Sequence, residues 1–237
     1  MFDSSFPSDY ARIRRAGSFS ELVALPFADG VNACCWPRAL DGDFGEVVAQ
    51  LGASDEAIVT LDETRLRSLP LGAAGRRAVE ILLADLKSLR DLGRDPVLNC
   101  IHGYPRDEGD GPVRTDVFSF HADSAPVEAD TWLCTYYGPA SEGLRNEDAV
   151  RRVDLPATRA GLLRMHGGQD DAEFREFLRE NCYDLHYAPK EGARPYAFGV
   201  GHLWRIAVEW PGSAVPPCVH RAPHTEPGDG PRLLLIA

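Results

Sequence analysis

Lysine is almost missing from this chain: only Lys87 and Lys190 occur, so arginine carries nearly all the positive charge. The 25 basic residues face 36 acidic ones, a formal net charge of −11. That balance repels a phosphate backbone at long range and argues against a nucleic-acid partner. The six cysteines, Cys34, Cys35, Cys100, Cys134, Cys182 and Cys218, contain no Cys-x-x-Cys pair. Zinc-ribbon and dithiol redox readings lose their support, and reduced, mostly buried thiols are expected. No stretch approaches the ~18 apolar residues of a membrane helix, and the opening residues 1–6 lack the apolar run of a secretory signal. A cytoplasmic protein without a membrane partner is therefore expected. Neither a Gly/Ser-rich or Pro-rich linker nor an internal repeat divides the 237 residues, so a single domain over 1–237 is expected.

The remaining composition, 44% hydrophobic and 26% charged, is that of a chain able to bury a core. Its first part, 1–95, reads as α-rich. A helix is expected from Asp43 to Leu51, and a longer one from Ala73 to Leu92, where Val79, Leu82, Leu83, Leu86 and Leu89 recur at helical spacing. After Gly93 the pattern changes to short strands. They are expected at Val97 to His102, Val113 to His121, Thr131 to Tyr137, Ala149 to Val153, Leu203 to Trp210, Pro217 to Ala222 and Arg232 to Ile236. Such a series points to a jelly roll or barrel-like sandwich over 96–237. Between the strand groups, at about 161–201, lies an insertion whose stretch Asp170 to Cys182 has the spacing of an amphipathic helix. The fold class expected is α+β: a jelly-roll core with N-terminal helices packed on it and an inserted helix.

The chemistry concentrates at Phe118-Ser119-Phe120-His121-Ala122-Asp123. On a strand, residues i and i+2 share a face, so the imidazole of His121 and the carboxylate of Asp123 project together. With a second histidine from a distant strand they make a two-His-one-carboxylate facial triad, whose open positions suit ferrous iron and oxygen. The C-terminal stretch supplies that histidine at His220, with His224 as a competing candidate nearer the turn. Arg232 opens the last strand twelve positions after His220. If the two strands form a hairpin, pairing brings the guanidinium behind the metal, where its fork of donors suits the far carboxylate of a keto acid such as 2-oxoglutarate.

These residues resemble the Fe(II)/2-oxoglutarate-dependent oxygenases of the double-stranded β-helix fold, whose pattern is His-x-Asp, a distal His and a following Arg. The resemblance covers roughly the second half of the chain. More narrowly, Phe120-His121-Ala122-Asp123, Leu133-Cys134-Thr135-Tyr136-Tyr137-Gly138-Pro139 and His220-Arg221-Ala222-Pro223 with Arg232-Leu233-Leu234-Leu235 resemble an uncharacterised bacterial family of similar length. The resemblance implies His121, Asp123 and His220 as iron ligands and Arg232 as the 2-oxoglutarate anchor. The implied partners are molecular oxygen and a small-molecule substrate.

Alternation along Thr131 to Tyr137 puts Trp132, Cys134 and Tyr136 on one face and Leu133, Thr135 and Tyr137 on the other. One face lines the cavity, and either Tyr136 or Tyr137 is a candidate hydroxyl donor to the cosubstrate. Arg114, Arg145 and Arg221 are candidates to meet an acidic substrate. His102, His166, His186 and His202 read as loop or surface residues, since none has a carboxylate or histidine at i+2 on a convincing strand. Two rival functions remain: a cupin-like protein that binds zinc or iron without turnover, and an iron oxidase that needs no keto acid.

Overall fold

The computed structural model describes residues 7, 9–225 and 229–237. The opening read above as free of a leader, 1–6, and the turn residues 226–228 lie outside the described residues.

The N-terminal part contributes β1 (Ile13–Arg15), α1 (Phe19–Ala24), β2 (Ala33–Trp36), α2 (Phe44–Leu51), β3 (Ile58–Leu61), α3 (Glu63–Ser68) and α4 (Ala73–Asp91). There follow β4 (Val97–Ile101), β5 (Phe120–His121), β6 (Asp130–Tyr137), β7 (Glu142–Leu144) and β8 (Ala149–Arg151), then α5 (Pro156–His166) and α6 (Ala172–Glu180). The chain closes with β9 (His186–Pro189), β10 (Tyr196–Ala197), β11 (Leu203–Ala207), β12 (Val219–Arg221) and β13 (Arg232–Ile236). Side-chain caps start several helices: Asp43 accepts from the Glu46 amide at α2, Asp62 from Arg65 at α3, and Asp171 from Glu173 and Phe174 at α6. Each satisfies donors that the first turn leaves unpaired.

The strands form two sheets, a seven-stranded one in the order β1-β2-β11-β6-β13-β4-β3 and a six-stranded one in the order β10-β7-β12-β5-β9-β8. All pairings between these strands are antiparallel except β1 with β2. The fold is therefore mixed α+β with two large sheets. The part before residue 95 is less purely helical than its composition promises, because β1, β2 and β3 belong to the larger sheet. Short strands such as Ile58–Leu61 alternate exposed and buried positions over only four residues, too few for a periodicity to stand out.

One face of the larger sheet is covered by helices. Leu98, Trp132, Cys134 and Leu235 pack there with Leu82 and Leu86 of α4, and each fully buried leucine is worth roughly 1.5–3 kcal/mol. The opposite face looks toward the smaller sheet. Between the two sheets, Tyr196, Phe198 and Trp204 fill one end with stacked rings; Phe198 and Trp204 have centroids 4.2 Å apart. The other end of this gap holds the polar site described next. α5 and α6 share a separate small core built on Leu162, Phe174 and Leu178. The inserted region is thus two helices followed by β9 and β10, which join the smaller sheet. Among the described residues no helix is long and apolar enough to cross a membrane.

Candidate metal centre

β12 lies between β7 and β5, and this register sets His220 directly opposite His121 on one side and Gly143 on the other. Paired residues share a face, so both imidazoles point into the gap between the sheets, with ring centroids 4.6 Å apart. Asp123 follows β5 and is fixed by its backbone: the Glu209 amide donates to the Asp123 carbonyl at 2.7 Å. Its Oδ2 lies 3.8 Å from His220 Nε2. Ligand atoms of His121, Asp123 and His220 all fall within 4.8 Å of one another, and this group can hold a metal ion.

Local bonds prepare each donor. The Ser119 carbonyl accepts from His121 Nδ1 at 2.8 Å and the Cys218 carbonyl accepts from His220 Nδ1 at 3.3 Å. A carbonyl only accepts, so each Nδ1 carries the proton and each Nε2 keeps its lone pair for an ion. Burial, and then the neighbouring His220, push the His121 pKa down to about 4. Burial raises the Asp123 carboxyl, but His220, the Thr131 hydroxyl and His121 outweigh it and leave the carboxyl below its usual range. At neutral pH the group therefore offers His121 as an uncharged imidazole together with an ionised carboxylate, a donor set that fits a divalent first-row metal.

The site opens into a cavity of about 210 Å³ bounded by both sheets, with Asn99, Thr131 and Arg232 from the larger and His121, Asp123 and His220 on the other side. Arg232 is only 2% exposed. It donates to the hydroxyls of Tyr104 at 2.9 Å, Thr135 at 3.2 Å and Ser141 at 3.1 Å, and its Nε has no partner among the described residues. Among the described residues no carboxylate pairs with it, and burial lowers its pKa. A buried cation surrounded only by neutral oxygens is costly and electrostatically suited to an anion.

The hairpin expected between His220 and Arg232 does not form. β13 lies between β6 and β4 in the larger sheet, whereas β12 belongs to the smaller. The guanidinium reaches the same cavity from across the gap. Nor does the expected strand from Val113 reach full length, since only Phe120–His121 is extended and paired. His224 stands outside the group: it is exposed, stacks on Phe118 and contacts Arg221 Nη1 at 2.9 Å.

Tyr136 is placed on the helix side of β6, not in the cavity. It is 2% exposed, stacks with Phe44, and donates its hydroxyl to Asp85 Oδ2 at 2.6 Å, beside the Arg38–Asp85 ion pair. Thr131, Leu133 and Thr135 occupy the inward face instead. A register shift between Leu233 and Leu234 interrupts the alternation, and Tyr137 lies against α2, where a Cβ at Gly45 would fall 3.1 Å from its ring. The tyrosine that meets Arg232 is Tyr104, which no local pattern marks. Arg221 lines the cavity but is paired with Glu142 at 2.6 Å, and Arg145 pairs with Asp9. His186, read from sequence as a loop or surface residue, is buried on β9 and faces His121 in the pairing. Its neighbour comes from another strand, so no i+2 pattern in the sequence could reveal it.

Compared with family models, with curated proteins and with solved structures, the chain matches none.

Proposed function

We propose that this chain is a non-haem Fe(II)/2-oxoglutarate-dependent oxygenase that oxidises a small molecule, built on a double-stranded β-helix core. The observation that carries the reading is Arg232, a buried guanidinium without a carboxylate partner among the described residues, lining the same cavity as His121, Asp123 and His220. A protein that only carried zinc or iron would have no use for such a cation, and an iron oxidase without a keto acid would need another anion to fill it.

In this reading His121, Asp123 and His220 hold the iron and leave positions open. Arg232, with the hydroxyls of Tyr104, Thr135 and Ser141, binds the far carboxylate of 2-oxoglutarate. Thr131 donates to Asp123 Oδ2 at 2.6 Å and keeps that carboxylate oriented. Iron bound with the keto acid supplies the oxygen chemistry. Overall, one atom of O2 enters a substrate C–H bond to give an alcohol, and the other enters the succinate left when 2-oxoglutarate loses CO2. The cavity of about 210 Å³ is below the ~300–1,000 Å³ of drug-sized pockets and suits a short dicarboxylate.

The test is an anaerobic titration of the metal-free protein with Fe(II) and then 2-oxoglutarate. A weak visible charge-transfer band from the chelated keto acid is expected, followed by succinate release on admitting oxygen with substrate. Bound iron without that band would overturn the reading.

A further inference from the structure

The cavity that holds the metal group has an open, apolar side. Ile58, Asn99, Ile101, Leu234 and Ile236 line it there, all from the β13-β4-β3 end of the larger sheet. Strand pairing sets them in rows: Ile58 faces Ile101, which faces Arg232; Thr60 faces Asn99, which faces Leu234; and Val97 faces Ile236. Paired residues share a face. Val59, Leu98, Cys100 and Leu235, one step along these strands, lie in the helix-side core, so the rows look the other way, into the gap. The smaller sheet leaves their outer members uncovered, with Ile58 40%, Val97 38% and Ile236 37% exposed. Scattered apolar side chains at a surface need no explanation, but a contiguous shelf that runs into a cavity marks a binding groove.

The shelf leads to the metal group. Ile236 pairs on its other side with Leu133 of β6, and the next inward residue of β6 is Thr131, which donates to Asp123. Midway along the shelf sits Asn99. The Thr60 hydroxyl donates to Asn99 Oδ1 at 2.9 Å, which fixes the amide and leaves Nδ2 as a donor without a partner among the described residues. Unlike Arg232 Nε, which is shut in, this nitrogen is open on the cavity side. The one charge in these rows is Arg232, at their inner end. A charged group held at Asn99 would exchange its water for one neutral donor among isoleucine and leucine side chains, at a net cost. An uncharged amide loses far less, and its carbonyl accepts the bond.

We infer that this shelf binds the molecule to be oxidised, and that the molecule is an uncharged aliphatic amide. Its carbonyl accepts from Asn99 Nδ2, and its carbon chain lies on Ile58, Leu234 and Ile236 and points along the row toward the metal group. This inference rests on the oxygenase reading for the reaction, while the binding itself needs no turnover. In that reading the enclosed part of the cavity, beside Arg232, takes the keto acid, so a second molecule enters from the open side and crosses the shelf.

Isoleucine methyl groups provide the readout, because three of the six isoleucines, Ile58, Ile101 and Ile236, belong to the shelf. The full chain, isotope-labelled at these methyls and loaded with Zn(II) and 2-oxoglutarate so that nothing turns over, is titrated by NMR with hexanamide, hexanoate or hexylamine. Single substitutions such as Ile81→Val assign the signals. Hexanamide is expected to shift Ile58 and Ile236, to leave Ile13 on β1 and Ile81 on α4 in place, and to bind at least about tenfold more tightly than either charged analogue without displacing 2-oxoglutarate. Asn99→Leu enlarges the apolar surface, so a merely greasy shelf would bind hexanamide better; loss of the donor should instead weaken it about three- to tenfold. Should that variant fail to fold, Thr60→Val, which frees the amide to turn, decides by a change in the same direction. Ile58→Ser, at an exposed position, should weaken hexanamide several-fold with zinc and 2-oxoglutarate binding unchanged. Absent shifts at the shelf, equal binding of hexanoate, tighter binding to Asn99→Leu, or competition with 2-oxoglutarate would each overturn the inference. So would shelf signals that move on dilution without ligand, which would place a second copy of the chain there. Failure of 2-oxoglutarate to bind while hexanamide binds through Asn99 would uphold the amide site and count against the oxygenase reading alone.

Discussion

Thr131 on the larger sheet donates to Asp123 Oδ2 beside the smaller one, at 2.6 Å across the gap between them. The bond ties the carboxylate of the metal group to a strand that supplies none of its other members, so the separation of the sheets and the aim of the carboxylate are set together. Thr131→Val keeps the shape and removes the donor. Metal affinity is expected to fall about 10–100-fold, read by Co(II) or Zn(II) titration, with the thermal midpoint of the metal-free protein little changed. An unaltered affinity would show that the carboxylate needs no such support.

Arg232→Met removes a buried charge and keeps most of the side-chain volume. Because no carboxylate among the described residues balances the guanidinium, the metal-free variant should be at least as stable as the parent, as apolar replacements of buried charges often are. The parent should gain stability from 2-oxoglutarate, by ligand linkage, and the variant should not. Thermal melts with and without 2-oxoglutarate, on metal-loaded protein, check both halves. A marked loss of stability without ligand would mean that the hydroxyls of Tyr104, Thr135 and Ser141 already satisfy Arg232.

The sequence made these residues visible to unequal degrees, for physical reasons. α4 and β13 were readable because 19 residues of helical spacing, and a five-residue apolar strand opened by Arg232, are strong local patterns. His121 and Asp123 were readable for the same reason, as neighbours on one short segment. Sheet membership was not. His220 and Arg232 are near in sequence, which favours a hairpin, yet their strands pair with different neighbours. The alternation of β6 correctly divided its residues into two faces along most of its length. It could not say which face meets the cavity, since that depends on α4 covering the side of Trp132, Cys134 and Tyr136. Tyr104 and His186 depend wholly on contacts between distant segments.

Tyr136→Phe separates the two faces of β6 by experiment. The variant loses the hydroxyl that donates to Asp85 in the buried pair with Arg38. A hydrogen bond to a charged group is worth about 1.5–3 kcal/mol, so denaturant unfolding should show a loss of that order. Metal and 2-oxoglutarate affinities should stay at parental values, because the ring points into the helix layer. A selective loss of 2-oxoglutarate binding at unchanged stability would put the hydroxyl in the cavity after all.

Gly143 tests how the aromatic end of the gap supports the metal group. It faces His220 in the pairing of β7 with β12, and a Cβ there would fall 2.2 Å from the Tyr196 ring, closer than any real contact. Tyr196 stacks on Phe198, whose ring in turn lies 6.3 Å from that of His220. In Gly143→Ala the Tyr196 ring must move or the strands must part, and overpacking of this kind costs about 1–3 kcal/mol. Because His220 is held from the same side, metal affinity should fall with stability, unlike in Tyr136→Phe, where stability falls alone. Adding Tyr196→Leu, which opens the space the methyl needs, should recover metal affinity more fully than stability, since the lost ring leaves its own packing deficit. Recovery of neither would show that the methyl acts through the β7–β12 backbone rather than through the ring above it.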